Sequence, residues 1–364
     1  MGGVQPHADG VAAPGAPGHI GGRDLAFALQ NDVQRGFPLV QRPYAALAAV
    51  LGTSEAAVLA TLRQLIESGR VSRVGAVFAP RRIGTSTLAA MAVPPERLDS
   101  VAACVGARRE VNHSYERENA LNLWFVATAP DDAALSTALS SIERDTGIAV
   151  LRLPLLTEYH IDLGFDLTGR REGPRGGAIR HGEHAPQALD PAERALVAAL
   201  GGGLRLVPEP FAAVATQAGW ADGGCVVDRL VAWSRAGVIR RFGVVLHHRA
   251  LGYVANAMCV WDVPDADVDV LGEALARERA VTLCYRRGRV DGAWPYNLYC
   301  MIHGRSRGEV NDALRAISAR RGLAAYAGAV LFSRRAFKQR GADYGTAVPG
   351  MAGTSEARGV PAHG

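Results

Sequence analysis

The sequence contains the same pattern twice, and this duplication limits the fold more than any other feature. The matching segments are RPYAALA (42–48) with EPFAAVA (209–215), RVSRVGAVF (70–78) with VIRRFGVVL (238–246), and HSYER (113–117) with LCYRR (283–287). The separation between the copies grows only from 167 to 170 residues across these segments. So slow a drift predicts two copies of one domain of about 150 residues, with the functional site between them.

Composition predicts which segments lie outside these two domains. Residues 1–22 and 341–364 are rich in Gly, Ala and Pro and are expected to form a disordered leader and tail, and 169–190 is expected to be a linker. The start of the chain lacks the basic and apolar regions of a signal peptide, and we see no membrane span. The five cysteines form no C-x-x-C pair, which argues against a disulfide framework. We therefore expect a cytoplasmic protein.

The charged residues indicate the chemistry of the partner. Lys338 is the single lysine among 40 basic residues, and the net charge is +5. Guanidinium groups suit ligands that carry carboxylates or phosphates. The composition leaves nucleic acid and an acidic small molecule as candidates.

Hydrophobic spacing divides each copy into two parts. Val58, Leu62 and Leu65 fall on one helical face, Gly69 ends that helix, and a β-rich run follows. We therefore predict winged helix-turn-helix units at 23–83 and 191–251. The rest of each copy reads β-α-β-β-α-β, which predicts ferredoxin-like domains at 84–168 and 252–340. The expected fold class is α+β, a tandem repeat whose halves pack as a pseudo-dimer through their sheets.

This plan resembles the Lrp/AsnC transcription regulators, but the helices expected to contact DNA do not suit that role. A recognition helix needs basic or amide side chains near its start. Here one helix opens Thr53-Ser54-Glu55, and its counterpart contains Asp222, Gly223 and Gly224. We therefore expect no DNA partner, and a DNA-binding regulator remains the last of three hypotheses.

A more specific resemblance is to the siroheme decarboxylases, relatives of the Lrp/AsnC fold. It rests on an ordered set of motifs: R-x-G-A-V-F at 73–78, V-N-H-S-Y-E-R at 111–117, N-L-W-F at 122–125, R-R-F-G-V-V-L at 240–246, C-Y-R-R at 284–287 and W-P-Y-N-L-Y-C-M-I-H-G at 294–304. The resemblance implies the fused, two-subunit form used in haem d1 synthesis.

The resemblance also implies the reaction. Two acetate side chains of siroheme would lose CO2, giving 12,18-didecarboxysiroheme for haem d1 or an alternative haem pathway. No cofactor is implied beyond the iron that the siroheme substrate carries, and we see no Gly-rich nucleotide loop. A related decarboxylase subunit could be a partner. The sequence leaves open whether pseudo-dimers pair further into a homo-oligomer.

Siroheme is a flat iron tetrapyrrole with carboxylates around its edge, so its site needs an apolar slot with cationic edges. The substrate-binding candidates are Arg73, Arg117, Asn122, Arg240, Arg286, Arg287, Trp294, Tyr296 and Asn297. We place Arg117, Arg286 and Arg287 in the β-β connections, Arg240 on the strand after its helical unit, and Asn122, Trp294, Tyr296 and Asn297 on the strands that follow. Any one arginine could equally be a solvated surface charge.

His113, Tyr115 and Tyr285 are the catalytic candidates. His113 could ligate the substrate iron or donate a proton to the carbon that loses CO2, and the sequence does not choose between these roles. Tyr115 and Tyr285 hold matching positions in the two copies, and each could be a hydrogen-bond donor or an aromatic wall. Trp124 and Met301 are expected in the core, and His303 is expected either to be structural or to support the residues that contact the substrate.

The chain departs from the family pattern at two positions. Relatives often carry histidine where this chain has Asn119 and Leu283. This keeps a third hypothesis open, in which the chain binds siroheme but is non-catalytic or depends on a partner for turnover.

Overall fold

A computed structural model of the chain describes residues 24–79, 82–161, 179–180, 189–246, 252, 254–339 and 341. The helices are α1 (Leu25–Asn31), α2 (Pro43–Leu51), α3 (Glu55–Glu67), α4 (Leu98–Ala107), α5 (Asp132–Thr146), α6 (Pro191–Gly201), α7 (Pro210–Ala218), α8 (Gly223–Arg235), α9 (Val268–Ala276) and α10 (Arg307–Arg321). The strands are β1 (Val71–Phe78), β2 (Thr85–Met91), β3 (Val111–Arg117), β4 (Leu123–Ala129), β5 (Leu151–Ile161), β6 (Ile179–Arg180), β7 (Ile239–Leu246), β8 (Ala255–Trp261), β9 (Val281–Arg287), β10 (Leu298–Gly304) and β11 (Gly328–Gln339). The predicted leader, most of the linker and nearly all of the tail lie outside the described residues.

The two helical units, α1–α3 and α6–α8, share one hydrophobic core. Ser54 caps the start of α3, and its hydroxyl accepts a hydrogen bond from the Ala57 backbone N–H. Asp222 caps the start of α8, and its carboxylate accepts a hydrogen bond from the Cys225 backbone N–H. Each unit also contacts the strand of the other copy: the backbone N–H of Val244 donates to Val33, and that of Leu204 donates to Val74. The helical units therefore stabilise each other.

The strand after each helical unit differs from the expected wing. Strands β1 and β7 pair with each other as an antiparallel ribbon, with Gly75 directly opposite its own counterpart Gly243. Within the described residues, each unit contributes one strand to this ribbon and no hairpin of its own. The reason is burial, because Val74 and Val244 are both covered by the shared helical core. The ribbon therefore lies on the pseudo-two-fold axis that relates the copies.

The β-α-β-β-α-β order is confirmed in both copies, and the last strand of each copy is the longest, at 11 residues in β5 and 12 residues in β11. The first part of β5 pairs with β2 of its own copy, and its second part pairs with β9 of the other copy. In the same way, β11 pairs first with β8 and then with β3. These exchanges join the two sheets into a ring of eight strands in the order β2-β4-β3-β11-β8-β10-β9-β5, with β5 returning to β2.

Hydrophobic residues cover both sides of this ring. One cluster lies under α4 and α5, and a second lies under α9 and α10. A third cluster lies inside the ring and includes Trp124, Trp294, Tyr299 and Leu331. Because side chains alternate across a strand, the same strands face the helices on one side and an interior space on the other.

Among the described residues, no single helix is long and apolar enough to cross a bilayer. The pair formed by α2 and α3 passes that length and composition test only when taken together, and it is bent by 101°. Both helices bury residues in the shared helical core.

Replacement of Gly243 by alanine tests the contact between the ribbon and the helical unit. A Cβ atom here would lie against the carbonyl oxygens of Val33 and Gln34, 2.5 Å from the latter. We expect Gly243→Ala to lower the free energy of unfolding by about 1–3 kcal/mol, measured by chemical denaturation. Gly106→Ala is the control, because Gly106 lies in α4 with nothing within 4 Å of the added atom, and it should leave stability unchanged or raise it. Equal stability of the two variants would contradict close packing at the ribbon.

Candidate active site

A cavity of about 460 Å³ lies between the β1–β7 ribbon and the interior of the strand ring. This volume falls within the range of small-molecule sites. Both copies contribute at matching positions: Leu88 and Met258, Tyr115 and Tyr285, Arg117 and Arg287, Trp124 and Tyr299, and Val126 and Met301. The cavity therefore has apolar walls with basic and aromatic groups placed by the pseudo-two-fold axis.

Arg117 and Arg287 are the main charged groups inside the ring. They end β3 and β9, rather than lying in the connections after these strands. Nη1 of Arg117 donates to the Leu331 carbonyl at 3.1 Å, and Nη1 of Arg287 donates to the Leu153 carbonyl at 3.0 Å. Each arginine thus bonds to the exchanged strand that joins the two copies.

Neither guanidinium forms an ion pair with any carboxylate in the described part of the chain. Arg117 is 7% exposed, and burial lowers its pKa to about 10. Arg287 is partly buried, and burial lowers its pKa as well. An uncompensated buried cation is costly. Arg117 and Arg287 are two such cations at matching positions in the two copies, and together they indicate a site for an anionic ligand.

Aromatic rings accompany these arginines. The guanidinium carbon of Arg117 lies 5.5 Å from the ring centre of Tyr115, and that of Arg287 lies 5.1 Å from Tyr285. Burial raises the pKa of Tyr285, and the nearby Glu158 carboxylate raises it further. Tyr285 therefore keeps its phenolic proton at neutral pH and can donate a hydrogen bond.

The part of the cavity lined by the first copy is more polar around Tyr115 than the part lined by the second copy is around Tyr285. His113 stacks beside Tyr115 with ring centres 6.5 Å apart, and the Tyr115 hydroxyl accepts a hydrogen bond from Nε2 of Gln339 at 2.7 Å. In the second half, Leu283 occupies the place of His113, and Ile161 also lines the wall. The two halves are alike in backbone and unequal in chemistry.

Two further predicted arginines lie where the ribbon meets the ring. Nη2 of Arg73 donates to the Ala76 carbonyl at 3.2 Å, and burial lowers the pKa of Arg73. Arg240 pairs with Glu158, a buried carboxylate on β5. Both arginines line the cavity, but the charge of Arg240 is already matched by that carboxylate.

Other predicted residues lie outside the cavity lining. Asn122 and Asn297 immediately precede β4 and β10, where their amides bond to both backbone groups of Val93 and Val263 respectively. These bonds brace equivalent loops. Arg286 points away from the cavity toward Asp265, at 3.1 Å.

The two aromatic candidates, Trp294 and Tyr296, lie in the connection before β10 and form part of the inner core. Trp294 packs edge-on against Trp124 with ring centres 5.1 Å apart, and its Nε1 donates to the Tyr299 hydroxyl at 2.7 Å. Tyr296 packs against Trp294. Both lie behind the residues that line the cavity.

Several cavity residues were missed by the sequence reasoning. Trp124 and Met301 were expected in the core, and His303 was expected to be structural or to support the site, yet all three line the cavity. Strand alternation could have found them, because Tyr299, Met301 and His303 occupy every second position of β10 and so share one face. Gln339 could not have been found, because it reaches the cavity only through the exchanged half of β11.

No group of three His, Cys, Asp or Glu side chains among the described residues is arranged to hold a metal ion. Cys259, Cys284 and Cys300 are adjacent across three strands, but all are buried, and burial raises the pKa of the Cys284 thiol. These thiols belong to the core under α9 and α10.

Comparison with known families agrees with this architecture. The family described as AsnC-like ligand binding domain matches residues 82–160 and 250–338. The family described as siroheme decarboxylase NirDL-like HTH domain matches residues 28–71.

Curated relatives cover nearly the whole chain. The siroheme decarboxylase NirDL subunit of Paracoccus denitrificans (strain Pd 1222) is 48% identical over 319 residues, which is 88% of this chain and 97% of the relative. A siroheme decarboxylase of Hydrogenobacter thermophilus is 31% identical, covering 84% of this chain and 91% of the relative.

Solved structures show the same arrangement. The crystal structure of the siroheme decarboxylase NirDL superposes with a TM-score of 0.66 at 27% identity, covering 88% of this chain and 94% of that one. The same enzyme in co-complex with an iron-uroporphyrin III analogue gives a TM-score of 0.65 at 27% identity, covering 88% and 93%.

The buried charge of Arg117 should reduce the stability of the ligand-free protein. Below pH 10 the guanidinium is charged in both the folded and the unfolded chain, so the folded chain carries the full cost of burying it, and that cost is relieved as the pH rises above about 10. We expect Arg117→Met to raise the free energy of unfolding at pH 7 by about 1–3 kcal/mol in chemical denaturation.

Arg63→Met is the matched control, because Arg63 also donates to a backbone carbonyl, that of Leu206, but is exposed. Its stability should stay within about 0.5 kcal/mol of the wild type. A loss of stability in Arg117→Met that exceeds the loss in Arg63→Met would mean that Arg117 serves the fold.

Proposed function

The chain belongs to the siroheme decarboxylase family and is a carboxy-lyase; from this premise we propose that the cavity between its two copies binds siroheme and removes CO2 from two acetate side chains. The product would be 12,18-didecarboxysiroheme, in haem d1 biosynthesis. The observation that carries this proposal is the pair Arg117 and Arg287, which are held inside the protein and have no carboxylate partner among the described residues.

The carboxylates of siroheme would supply negative charges to pair with the cavity arginines. Carboxylates of siroheme would accept hydrogen bonds from the free N–H groups of Arg117 and Arg287, and Arg73 would add a third cation near the ribbon. Ion pairing of this kind would recover the cost of burying the two guanidinium groups. Because the arginines are matched across the axis, they would hold opposite edges of a flat ring.

The walls of the cavity suit the ring itself. Leu88, Met258 and Met301 present apolar side chains to the interior. Siroheme has two large apolar faces, so burying them between these side chains would stabilise the complex. The iron in the reaction would be that of the substrate, and we propose that the chain uses no cofactor of its own.

We assign the chemistry of the first half to His113. The carbon–carbon bond to the acetate carboxylate breaks, CO2 leaves, and the electron pair left on the methylene carbon takes a proton to become a methyl group. His113 lines the cavity and can donate that proton, or it can ligate the iron. Tyr115 and Tyr285 would orient substrate carboxylates through their phenolic hydroxyls.

We further propose a cytoplasmic location, which the free cysteines support. All five cysteines are unpaired, although Cys259 and Cys300 are direct cross-strand neighbours. Free thiols are typical of reducing compartments.

A second candidate is a subunit that needs a related decarboxylase subunit for full turnover. The observation that favours it is Leu283, which has no ionisable group at the position that matches His113. Separate siroheme decarboxylase subunits named NirD, NirL, NirG and NirH exist among the relatives. In this reading the chain would bind siroheme and release fewer than two CO2 molecules.

The first experiment is anaerobic incubation of the purified full chain with siroheme, with the products resolved by liquid chromatography and mass spectrometry. We expect the wild type to release two CO2 per siroheme and His113→Ala to lose at least one of these steps by about 100-fold or more. His160→Ala is the control, because His160 is buried on β5 outside the cavity lining, and both losses should persist.

The other results are also decisive. Siroheme binding without a change in mass would exclude a self-sufficient enzyme and favour the subunit that depends on a partner. Absence of siroheme binding, read from the absorption spectrum, would contradict the proposal as a whole.

A further inference from the structure

The duplication relates every cavity residue of one half to a residue of the other, which shows where the second half departs from the first. Leu283 matches His113 on the equivalent strands β9 and β3. On the neighbouring strands β10 and β4, His303 matches Thr128. The second half therefore lacks a histidine on one strand and gains one on the next.

Contacts between neighbouring strands hold the His303 side chain in place. In the first half, Asn112 donates to the Thr128 hydroxyl at 2.8 Å, which joins β3 to β4. In the second half, Oγ1 of Thr282 lies 2.9 Å from Nδ1 of His303 and joins β9 to β10 at the same place. His303 thus keeps the cross-strand contact of its half and adds an imidazole to the cavity wall.

The hydrogen bonds around Thr282 determine which ring nitrogen of His303 can face a ligand. The Thr282 hydroxyl donates to the Met301 carbonyl at 3.2 Å, so its oxygen is left to accept from His303 Nδ1–H. In the protonated ring both nitrogens carry hydrogen, and loss of the Nε2 proton leaves the neutral form with a proton on Nδ1, which is the form that Thr282 stabilises.

A neighbouring amide adds a second polar group at this end of the cavity. Asn256 is directly opposite His303 on β8, is 3% exposed, and lines the same cavity. Its Oδ1 is buried and accepts no hydrogen bond from the described residues. The matching residue of the first half is the smaller Ser86. A buried acceptor of this kind indicates that a donor from a ligand or water completes the site.

We propose that His303 is the proton donor of the second half, replacing the imidazole that is absent at Leu283. This role rests on the proposed function. In the second decarboxylation, the acetate carbon–carbon bond breaks, CO2 leaves, and the methylene carbon takes the proton from Nε2 of His303. The protonated ring of His303 is thereby left as a neutral imidazole that keeps its Nδ1 proton and donates it in a hydrogen bond to the Thr282 oxygen. Nε2 regains a proton from solvent after product release.

His303→Thr tests this role, because it installs the residue found at the matching position of the first half. We expect this variant to bind siroheme and to release one CO2, with the second loss slowed by about 100-fold or more, so that a monodecarboxylated product accumulates. His113→Ala should stop at the other monodecarboxylated isomer, which chromatography separates.

The double variant Leu283→His with His303→Thr provides a rescue. It returns an imidazole to the place that matches His113, so the second CO2 loss should recover at least partly relative to His303→Thr. His160→Thr is the matched control for a buried histidine on a strand outside the cavity lining, and it should release two CO2. Absorption titration with siroheme checks that each variant still folds and binds.

The possible outcomes distinguish the role of His303 from the proposed decarboxylase function. If wild type and His303→Thr both release two CO2 at the same rate, the role of His303 is excluded while the decarboxylase function stands. If His303→Thr binds siroheme and releases no CO2, His303 does not act on one half alone, and the assignment is wrong. If the wild type itself releases no CO2, the self-sufficient reaction fails, and the role of His303 fails with it.

Discussion

The exchange of the last strand between the two copies is the constraint on which the rest of the structure depends. A ferredoxin-like sheet alone has open edges, which are liable to pair with other chains. Here β5 and β11 each continue past their own sheet and pair with the other copy, so the edges close into a ring. A ring has an inside, and the interior holds the cavity. The strand exchange therefore creates the site as well as joining the halves.

The same exchange explains how two arginines can be held inside the protein. Arg117 and Arg287 each donate to a backbone carbonyl of an exchanged strand, at Leu331 and Leu153. These bonds fix one nitrogen of each guanidinium, and Nη2 of Arg117 also lies 3.9 Å from Sδ of Met301 on the cavity wall. One hydrogen bond to a neutral carbonyl does not offset the burial of a full charge, as the lowered pKa of Arg117 indicates. The protein thus holds both cations at a cost in stability, which an anionic ligand would remove under the proposed function.

Much of the fold could be predicted from the sequence, because it depends on local patterns. The helices of each unit, the order β-α-β-β-α-β and the pseudo-dimer all follow from hydrophobic spacing and from the repeat. The ribbon and the strand exchange could not be predicted in this way. Both require β-rich segments to pair with the other copy, and hydrophobic spacing does not distinguish a partner in the same copy from one in the other.

The site was predictable to a smaller extent, and the outcome differs between residue types. His113, Tyr115, Tyr285 and the arginines Arg73, Arg117, Arg240 and Arg287 do line one cavity. Asn122 and Asn297 are polar residues next to the same strands, yet both amides are used by the backbone of the loop they brace. The residue type and its place beside a strand are the same for a bracing asparagine and a binding one, and only the contacts of the side chain separate the two.

Two copies in one chain can diverge in a way that two identical subunits cannot. In a symmetric homodimer, any change at the place of His113 would appear in both halves. In this chain, Leu283 replaces a histidine in the second half only, and in that half His303 and Asn256 stand where the first half has the smaller Thr128 and Ser86. Siroheme itself has no two-fold symmetry in its side chains, so unequal halves can each fit a different edge of the ring. Under the proposed function, the fusion would therefore let a pseudo-symmetric ring of strands distinguish the edges of an asymmetric substrate.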